Sequence, residues 1–532
     1  KMFGKIIVLL FICFFLTKTV HPLQCDEVKI EERIDCNPDN PSEERCKSRG
    51  CCWRTTSNKT SGEQAPACYY PKDYVGYKVK NITNLDKEVT RIILEKQTPS
   101  GFPNDISTVF VDVHPLSDRL VRIKIYDGNA NRYEVPIPKL NYKYLKGQNR
   151  LYKVNKSNNG TLTVTRNSNG KIIFETDLKF LIFADQYLQL TTSLTSIHVY
   201  GLGEHRDVFR KEAKWNKYVM LNTDRPPAGS GSTGETLYGT QPFHMCVEDL
   251  SGNSNGMLMF NSNPMEVLLQ PKPGLTWRTI GGVLDVFIIV GSSPNDIIRE
   301  YSHLVGLPHL PPFWSLGFQL CKWGYGSINN TEKTFQRNID AGIPIEVQWN
   351  DIDFMEKHNN FVYDKKTFAT LPQFVERLHQ QGRKYVPMVD VGIGIGKTKG
   401  AYLPYDEGMK YDIFIKNENG SVLNAKVWND DGTVFPDFTH PNATRYWTEQ
   451  YAKFHKTVAF DGVWNDMNEP SNFVDGSTIG CPNSKYENPP YAPGGRPLRT
   501  KTLCMTAKHH VGDIHYNLHN IYGMTEVIAS NQ

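Results

Sequence analysis

The stretch FDGVWNDMNEPSNF, residues 460–473, ends a short apolar run with two carboxylates, Asp466 and Glu469. It is the last of four such runs between residues 306 and 532, the others being LGFQLCKW, PIEVQWNDIDFM and KYVPMVDVGI, and each is followed by a helical pattern. Strands that alternate with helices are typical of a parallel sheet, and this repeat favours the first half of a (β/α)8 barrel over an open doubly wound sheet. No G-x-G-x-x-G motif follows these strands, which weakens a dinucleotide-binding interpretation.

Acidic residues stand at the ends of three of the four predicted strands. In a (β/α)8 barrel the active site forms where the strands end, and carboxylates beside flat aromatic rings suit a sugar, whose hydroxyls need acceptors. Any single acid could instead pair with a Lys or Arg or cap a helix, but burying all of them without partners would be costly. The predicted rim contains Asp351, Asp353, Asp390, Asp466 and Glu469, with Trp323, Trp349 and Trp464 beside them.

The N-terminus predicts entry into the secretory pathway. Residues 1–23 combine Lys5, the apolar run IIVLLFICFFL and the polar TKTVHP, which is the layout of a signal peptide, with Met2 as the expected initiator. The run is shorter than the ~20 residues of a membrane span, so we expect cleavage rather than a signal anchor, and no later stretch is apolar enough to span a bilayer. The destination is then the lysosome or the extracellular space. With 60 basic and 56 acidic residues the charge is nearly balanced, which argues against a nucleic-acid partner.

Residues 24–73 predict a small disulfide-rich domain. Six of the 11 cysteines fall between Cys25 and Cys68, a density typical of oxidised extracellular modules. The chain also carries several N-glycosylation sequons, of which we expect some but not all to be modified. They are Asn58, Asn81, Asn155, Asn159, Asn329, Asn419 and Asn442.

Residues 74–305 predict an all-β sandwich. Segments such as STVFVDVHPL and RLVRIKIYDG alternate apolar and polar residues between Gly, Asn and Pro turns, as antiparallel strands do. The pattern leaves open one large unit or two small ones. The loop LNTDRPPAGSGSTGETLYG is long and rich in Gly, Ser and Pro, and it is either a plain solvated loop or a functional one.

The motif CKSRGCCW, with CNPDNP before it and CYYP after it, resembles the P-type trefoil domain. The resemblance implies disulfides Cys25–Cys52, Cys36–Cys51 and Cys46–Cys68, although six cysteines allow 15 pairings. Such a domain either braces its neighbour or binds sugar.

The motifs WNDMNE, YGLGEHRD, WRTIGGVLDVF, CKWGYGS, WNDIDFM and HYNLHNIYG together resemble glycoside hydrolase family 31, in its branch of lysosomal and intestinal α-glucosidases. The resemblance implies a retaining α-glucosidase that hydrolyses terminal non-reducing, mainly 1,4-linked α-glucose from maltose-like oligosaccharides, glycogen or starch. It implies no cofactor and no metal. The partner is then an α-glucoside substrate.

Matching positions of the family motif imply roles for individual residues. Asp466 would be the catalytic nucleophile, with Glu469 as a hydrogen-bonding support. Asp351 would hold sugar hydroxyls, and Asp224 in the Gly-rich loop would contact the next sugar. The implied pocket wall consists of Trp323, Ile352, Ile393, Trp428, Trp464 and Met467.

Further expectations concern the remaining cysteines and the catalytic machinery. Cys481 and Cys504 flank the insertion after Asp466 and are expected to form a disulfide, whereas Cys246 and Cys321 are expected to be buried free cysteines. A retaining glycosidase needs a second carboxyl group about 5 to 5.5 Å from the first, and the resemblance places it beyond Gln532. We therefore expect a fragment or truncated isoform that is inactive by itself. The alternative is a secreted carbohydrate-binding protein that does not hydrolyse its ligand.

Overall fold

The computed structural model describes residues 24–38, 41–55, 65–140, 149–227, 236–272 and 274–532. The predicted signal peptide, residues 1–23, and the sequon at Asn58 lie outside these ranges. The other six sequon asparagines are exposed. No helix of the described residues is long and apolar enough to cross a membrane.

The N-terminal domain is held together by three disulfides. Cys25 is bonded to Cys52, Cys36 to Cys51 and Cys46 to Cys68, which is the pairing that the trefoil resemblance implied. The domain has little regular structure, so crosslinks replace a large core. Its elements are the helix α1 (Glu43–Ser48), whose N-terminus is capped by the Ser42 hydroxyl, and the antiparallel strands β1 (Cys52–Trp53) and β2 (Cys68–Tyr69).

Next along the chain is a single β-sandwich. An eight-stranded antiparallel sheet, in the order β12-β14-β15-β18-β6-β5-β4-β3, faces a five-stranded sheet, β10-β11-β17-β16-β13, and β7-β8-β9 form a third. One continuous apolar core contains residues of both large sheets, so the sandwich is one unit rather than two. The strands are β3 (Tyr77–Asn84), β4 (Thr90–Lys96), β5 (Thr108–Pro115), β6 (Leu120–Asp127), β7 (Tyr152–Lys156), β8 (Thr161–Arg166), β9 (Ile172–Asp177), β10 (Ile182–Phe183), β11 (Leu188–Ser193), β12 (Val199–His205), β13 (Asn216–Met220), β14 (Thr236–Val247), β15 (Ser254–Met259), β16 (Met265–Gln270), β17 (Gly274–Thr279) and β18 (Leu284–Gly291).

The helix α2 (Pro294–Val305) covers the outer face of the eight-stranded sheet. Pro294 occupies its first turn and the Ser293 hydroxyl accepts from the Asp296 amide, which are typical features of a helix start. Ile297 and Leu304 pack against Phe287 and neighbouring apolar side chains of the sheet. This helix leads the chain into the barrel domain.

The C-terminal part contains a parallel four-stranded sheet, curled as half of a barrel, which confirms the predicted fold. Its strands β19, β20, β21 and β24 are adjacent in sequence order, as a β/α repeat requires. A short antiparallel hairpin, β22 with β23, interrupts the repeat. The elements are β19 (Phe318–Leu320), α3 (Ile328–Asp340), β20 (Ile345–Asn350), α4 (Leu371–Gln380), β21 (Lys384–Asp390), β22 (Ile393–Gly394), α5 (Leu403–Tyr411), β23 (Thr433–Val434), α6 (Ala443–His455), β24 (Trp464–Asp466), α7 (His515–Leu518) and α8 (Tyr522–Ser530).

Sandwich and barrel meet through buried hydrogen bonds. The Tyr516 hydroxyl donates to the Ile280 carbonyl at 2.6 Å, and the Ser262 hydroxyl donates to the Asn517 carbonyl at 2.8 Å. These contacts lie beside α7, close to the rim of the barrel, and they align loops of the sandwich with the strand ends.

Candidate active site

The ends of three parallel strands bring acidic side chains to one rim. Asp351 follows directly after β20, and Asp390 and Asp466 are the last residues of β21 and β24. Asp390 and Asp466 are also directly opposite each other in the register of the two strands. The predicted convergence of these acids is therefore what the sheet produces.

Asp466 is half-buried and surrounded by negative charge. Burial raises the pKa of its carboxyl, the Met467 amide opposes this, and the carboxylates of Asp351 and Asp224 raise the pKa further. Met467 is buried and has a φ of 59°, a left-handed conformation that is uncommon for a residue other than glycine. The backbone thus turns sharply directly after Asp466.

Three fully buried acids lie behind Asp466. Burial raises the pKa of Glu469 to about 7 and that of Glu526 to about 8, in both cases with a contribution from Asp466. The pKa of Asp390 lies well above its usual range, first because of burial and then because of Asp466 and Asp351. Each of the three has one carboxyl oxygen without a hydrogen-bond partner among the described residues. Burial and the neighbouring negative charges therefore favour the protonated form of all three carboxyls.

Asp224 reaches the rim from the sandwich. It lies in the Gly-rich loop, and its carboxylate acts on the pKa values of both Asp466 and Glu469. The Lys501 ammonium fixes it by donating at 2.7 Å both to its carboxylate and to its backbone carbonyl. The described start of this loop, at Asp224, therefore lies close to the rim acids.

Asp351 and Asp353 have different surroundings although they are two residues apart. Asp351 is buried, and burial followed by the charge of Asp353 raises its pKa. Asp353 instead accepts hydrogen bonds from the amides of Gly324 and Gly326, at 3.2 and 2.7 Å. Both glycines have positive φ angles, so Asp353 stabilises a tight loop. The hydrogen bonds of Asp353 thus support the fold of the loop at Gly324 and Gly326.

The side chains implied as a pocket wall form two groups. Ile352, Ile393 and Met467 are buried in the barrel core, and half-buried Trp464 lies 5.7 Å from Trp349 between ring centroids. Trp428 and Trp323 are 41% and 69% exposed. The first group is thus mostly enclosed by the barrel core, whereas the second is open to solvent.

Four residues near the rim were not identified from the sequence. Burial and then Asp224, Glu469 and Asp466 raise the pKa of the Tyr238 hydroxyl, so this side chain lies near the acids. The other three are Phe473, Asn468 and Glu526.

Two of these residues carried a usable signal. Glu526 is a lone acid in the otherwise apolar helix sequence GMTEVIAS, and Asn468 donates to it at 2.7 Å. Phe473 is the last residue of the stretch FDGVWNDMNEPSNF and contacts Trp428 edge to face at 4.7 Å. Tyr238 carried none, because an aromatic residue in a strand is ordinary.

The remaining cysteines give one confirmed pair and one correction. Cys481 is bonded to Cys504, which braces the insertion that carries Lys501. Cys246 is buried and free, as expected, but Cys321 is exposed, so the prediction of a buried thiol was wrong there. Cys321 follows β19, whose side chains are themselves only partly covered. The groups of described residues close enough to share a metal ion contain these disulfide cysteines, and disulfide sulfurs are poor ligands.

Comparisons with known proteins agree with this architecture. Residues 308–532 match the TIM-barrel domain of glycosyl hydrolases family 31, residues 111–267 match the family's N-terminal galactose mutarotase-like domain, and residues 25–71 match the trefoil (P-type) domain. The disulfide-rich trefoil is typical of proteins that fold in the secretory pathway.

Relatives of known name share much of the sequence. Lysosomal alpha-glucosidase of Mus musculus is 41% identical over 519 residues, which is 96% of this chain and 53% of that protein. Sucrase-isomaltase of Homo sapiens is 38% identical over 517 residues, 94% of this chain and 28% of that protein. The crystal structure of glucosidase II alpha subunit superposes with a TM-score of 0.70 over 86% of this chain and 56% of that one, at 21% identity, which speaks for the fold alone. The chain thus spans about half the length of the first of these relatives, and it belongs to glycoside hydrolase family 31.

Proposed function

We propose that the protein containing this chain is a retaining α-glucosidase in which Asp466 is the nucleophile. The observation that carries the proposal is the rim itself: Asp466 is half-exposed at the end of β24, and Asp351 and Asp224 flank it. A nucleophile has to be reachable by the substrate. Asp390 and Glu469 are buried, and burial raises the pKa of both carboxyls, which disfavours their ionised form.

The reaction takes two displacements. The Asp466 carboxylate attacks the anomeric carbon, the glycosidic C–O bond breaks, and the leaving oxygen takes a proton from the general acid. Water then attacks the same carbon, releases Asp466 and returns its proton to the group that acted as the acid. We leave that second carboxyl unassigned, so tests of activity use the full-length protein that contains these 532 residues, and the chain by itself is expected to bind without turnover.

The other residues bind and orient the sugar. Asp351 accepts hydroxyl hydrogen bonds from the reacting glucose, and Asp224 does so from the next sugar. Trp464 contacts the apolar face of the ring above the floor of Ile352, Ile393 and Met467. Trp428 and Trp323, at the mouth, act on the leaving part of the substrate. Glu469 stays neutral below about pH 7 and supports the loop beneath Asp466.

The substrates are α-1,4-linked glucosides such as maltose and glycogen, and the compartment is the lysosome or the extracellular space. Both proposals rest on likeness to relatives named lysosomal alpha-glucosidase. The experiment is hydrolysis of maltose by the full-length protein at pH 5, followed by proton NMR of the first product. Release of α-glucose before mutarotation supports the proposal. Release of β-glucose contradicts it, and binding of maltose without hydrolysis favours the carbohydrate-binding alternative.

A further inference from the structure

A continuous chain of buried imidazoles crosses the interface beside the candidate active site. His509 Nε2 lies 3.3 Å from His515 Nδ1, and His515 Nε2 lies 2.9 Å from His519 Nδ1. One end meets the Asp437 carboxylate, 3.2 Å from His509 Nδ1, and the other meets the Asn222 carbonyl, 2.8 Å from His519 Nε2. The chain therefore connects the barrel with the sandwich.

The end of the imidazole chain at His519 contacts the loop that carries Asp224. Besides the bond from His519, the Asn222 amide donates to Asn520 Oδ1 at 3.0 Å, and the Asn222 side chain donates to the Asn520 carbonyl at 3.2 Å. Asn520 Nδ2 donates in turn to the Met220 carbonyl at 3.2 Å. We name these four hydrogen bonds the clasp. Asp224 stands only two residues beyond it.

The positions of the protons on the three rings follow from the partners at the two ends of the imidazole chain. The Asn222 carbonyl can only accept, so His519 carries its proton on Nε2 and its Nδ1 accepts. The same requirement then puts the His515 proton and the His509 proton on Nε2. With three neutral rings, His509 Nδ1 is bare and faces a carboxylate oxygen, so two acceptors meet. One additional proton on His509 Nδ1 turns this contact into a charge-assisted hydrogen bond.

We propose that the imidazole chain positions the Asp224 loop by binding one proton more than three neutral histidines carry, so that the clasp is firmer at acidic pH than at neutral pH. Asp224 is a substrate-binding residue only under the proposed function, and the rest of the inference is independent of it. His509, His515 and His519 are positioning residues, since they act on Asp224 through Asn222.

The electrostatic surroundings agree with that proton count. Burial lowers the pKa of His519 to about 4 and that of His515 well below its usual range, so both of these rings disfavour an additional proton. Burial raises the pKa of Asp437, but His509, Thr439 and the His510 amide outweigh it and bring the pKa to about 2. The other titratable groups that face Asp437 are His440, whose ring packs on His510, and Tyr522 of α8.

Thr502 ties the chain to the catalytic loop. Its hydroxyl donates to the Pro470 carbonyl at 2.7 Å, so toward His515 Nε2 and His519 Nδ1, 3.5 and 3.4 Å away, its oxygen is left as an acceptor. The His515 Nε2–H donates mainly to His519 Nδ1 at 2.9 Å, and at 3.5 Å the Thr502 oxygen can only share that proton, which agrees with the proton positions above. Since Thr502 follows Lys501, the imidazole chain and the Lys501 contact to Asp224 belong to one structure.

The test measures opening of the clasp without any substrate. Hydrogen exchange of the peptide covering residues 216–224 is followed by mass spectrometry in the full-length protein between pH 5 and 7.5, with correction for intrinsic exchange. If the clasped state binds one proton more than the open state, its opening constant rises with pH by up to about tenfold per unit. His509→Gln cannot hold the additional proton and is expected to remove this dependence. His510→Gln, a neighbouring histidine outside the chain, is the matched control and is expected to keep it.

Asp437→Asn provides a converse variant should His509→Gln fail to fold. An amide N–H facing His509 Nδ1 satisfies the neutral imidazole chain, at the cost of the hydrogen bonds that the Thr439 amide and hydroxyl donate to the same oxygen. The clasp is therefore expected to be protected equally at pH 5 and at pH 7.5. Equal pH dependence in wild type, His509→Gln and Asp437→Asn, or no dependence in wild type, overturns the inference. In an active protein, His509→Gln is expected to change the pH profile of KM more than that of kcat. The exchange result stands whether or not the protein is an α-glucosidase.

Discussion

Buried charges are treated in opposite ways in the sandwich and at the barrel rim. In the sandwich, Arg278 is fully buried between Glu266 and Asp35 of the trefoil, at 2.6 and 3.0 Å, and Arg166 pairs with Glu248 at 2.6 Å. At the rim, Glu469 and Glu526 are equally buried, but their charged neighbours are mostly other acids.

The pKa values express this difference directly. Burial raises the pKa of Glu266, but Lys217 and Arg278 outweigh it, so the net pKa lies below the usual range. At Glu469 and Glu526 burial and like charges add, and the pKa values rise to about 7 and about 8. Paired charges stabilise the scaffold, whereas Asp390, Glu469 and Glu526 have no ion pair among the described residues and lie close to other acids. Such an arrangement indicates a site that works on a ligand.

The largest effect is expected from replacing Asp466, the half-exposed acid at the end of β24. Asp466→Asn in the full-length protein is expected to lower kcat/KM for maltose by roughly 10⁴ or more, because no nucleophile remains. Asp353→Asn is the matched control, since Asp353 holds a loop through Gly324 and Gly326. We expect it to change kcat/KM by less than about tenfold. Similar losses of kcat/KM in the two variants would show that Asp466 has no role in the reaction that Asp353 lacks.

The next effect concerns the paired charges. Arg278→Ala leaves Glu266 and Asp35 buried without their cation, and we expect a loss of about 3 to 5 kcal/mol in the free energy of unfolding of the trefoil and sandwich, measured with urea. Lys272→Ala breaks the exposed pair with Glu32, which joins the same two domains, and is expected to cost less than about 1 kcal/mol. A small effect of Arg278→Ala would show that pairing is not what holds the trefoil.

The pH dependence of stability tests the unpaired acids. A pKa near 7 or 8 in the folded state, against about 4.3 unfolded, means that stability is fully present below about pH 4 and is lost as the pH rises through 7 and 8. We therefore expect Glu526→Gln to be more stable than wild type by up to about 5 kcal/mol at pH 9 and nearly unchanged at pH 4. Thermal unfolding at the two pH values measures this.

Glu449→Gln is the control for that experiment. Glu449 lies on the surface of α6, where Arg445 and Tyr411 hold its pKa below the usual range. Its substitution should not stabilise the protein at pH 9. Parallel pH profiles of wild type and Glu526→Gln would mean that Glu526 is ionised in the fold.

The smallest effect is expected at the mouth of the site. Trp428→Ala removes an exposed ring that Phe473 supports, and we expect KM for maltose to rise by about tenfold with kcat little changed, as for loss of uniform binding. Phe209, an aromatic residue of the sandwich that is 85% exposed, provides the control Phe209→Ala. A fall in kcat alone would place Trp428 at the reacting sugar instead.

The strand ends were predictable because their information is local. An apolar run such as VPMVD predicts the strand and contains the acid that ends it. The disulfides of the trefoil were predicted from the resemblance of its cysteine pattern to that family. The contacts that complete the rim are not local: Lys501 binds Asp224 across 277 positions, and Asn520 binds Asn222 across 298. No periodicity encodes such contacts, so the clasp, Tyr238 and the exposure of Cys321 required the structure.

The role of Asp466 as the nucleophile is tested most directly by trapping the covalent intermediate. The full-length protein is incubated with a fluorinated α-glucosyl fluoride that forms the glycosyl-enzyme faster than water removes it, and the digested protein is mapped by mass spectrometry. We expect one fluoroglucosyl adduct in the peptide covering residues 460–473, and we expect fragmentation to place it on Asp466. An adduct on Asp351, Asp390 or another residue, or rapid turnover without any adduct, would contradict it.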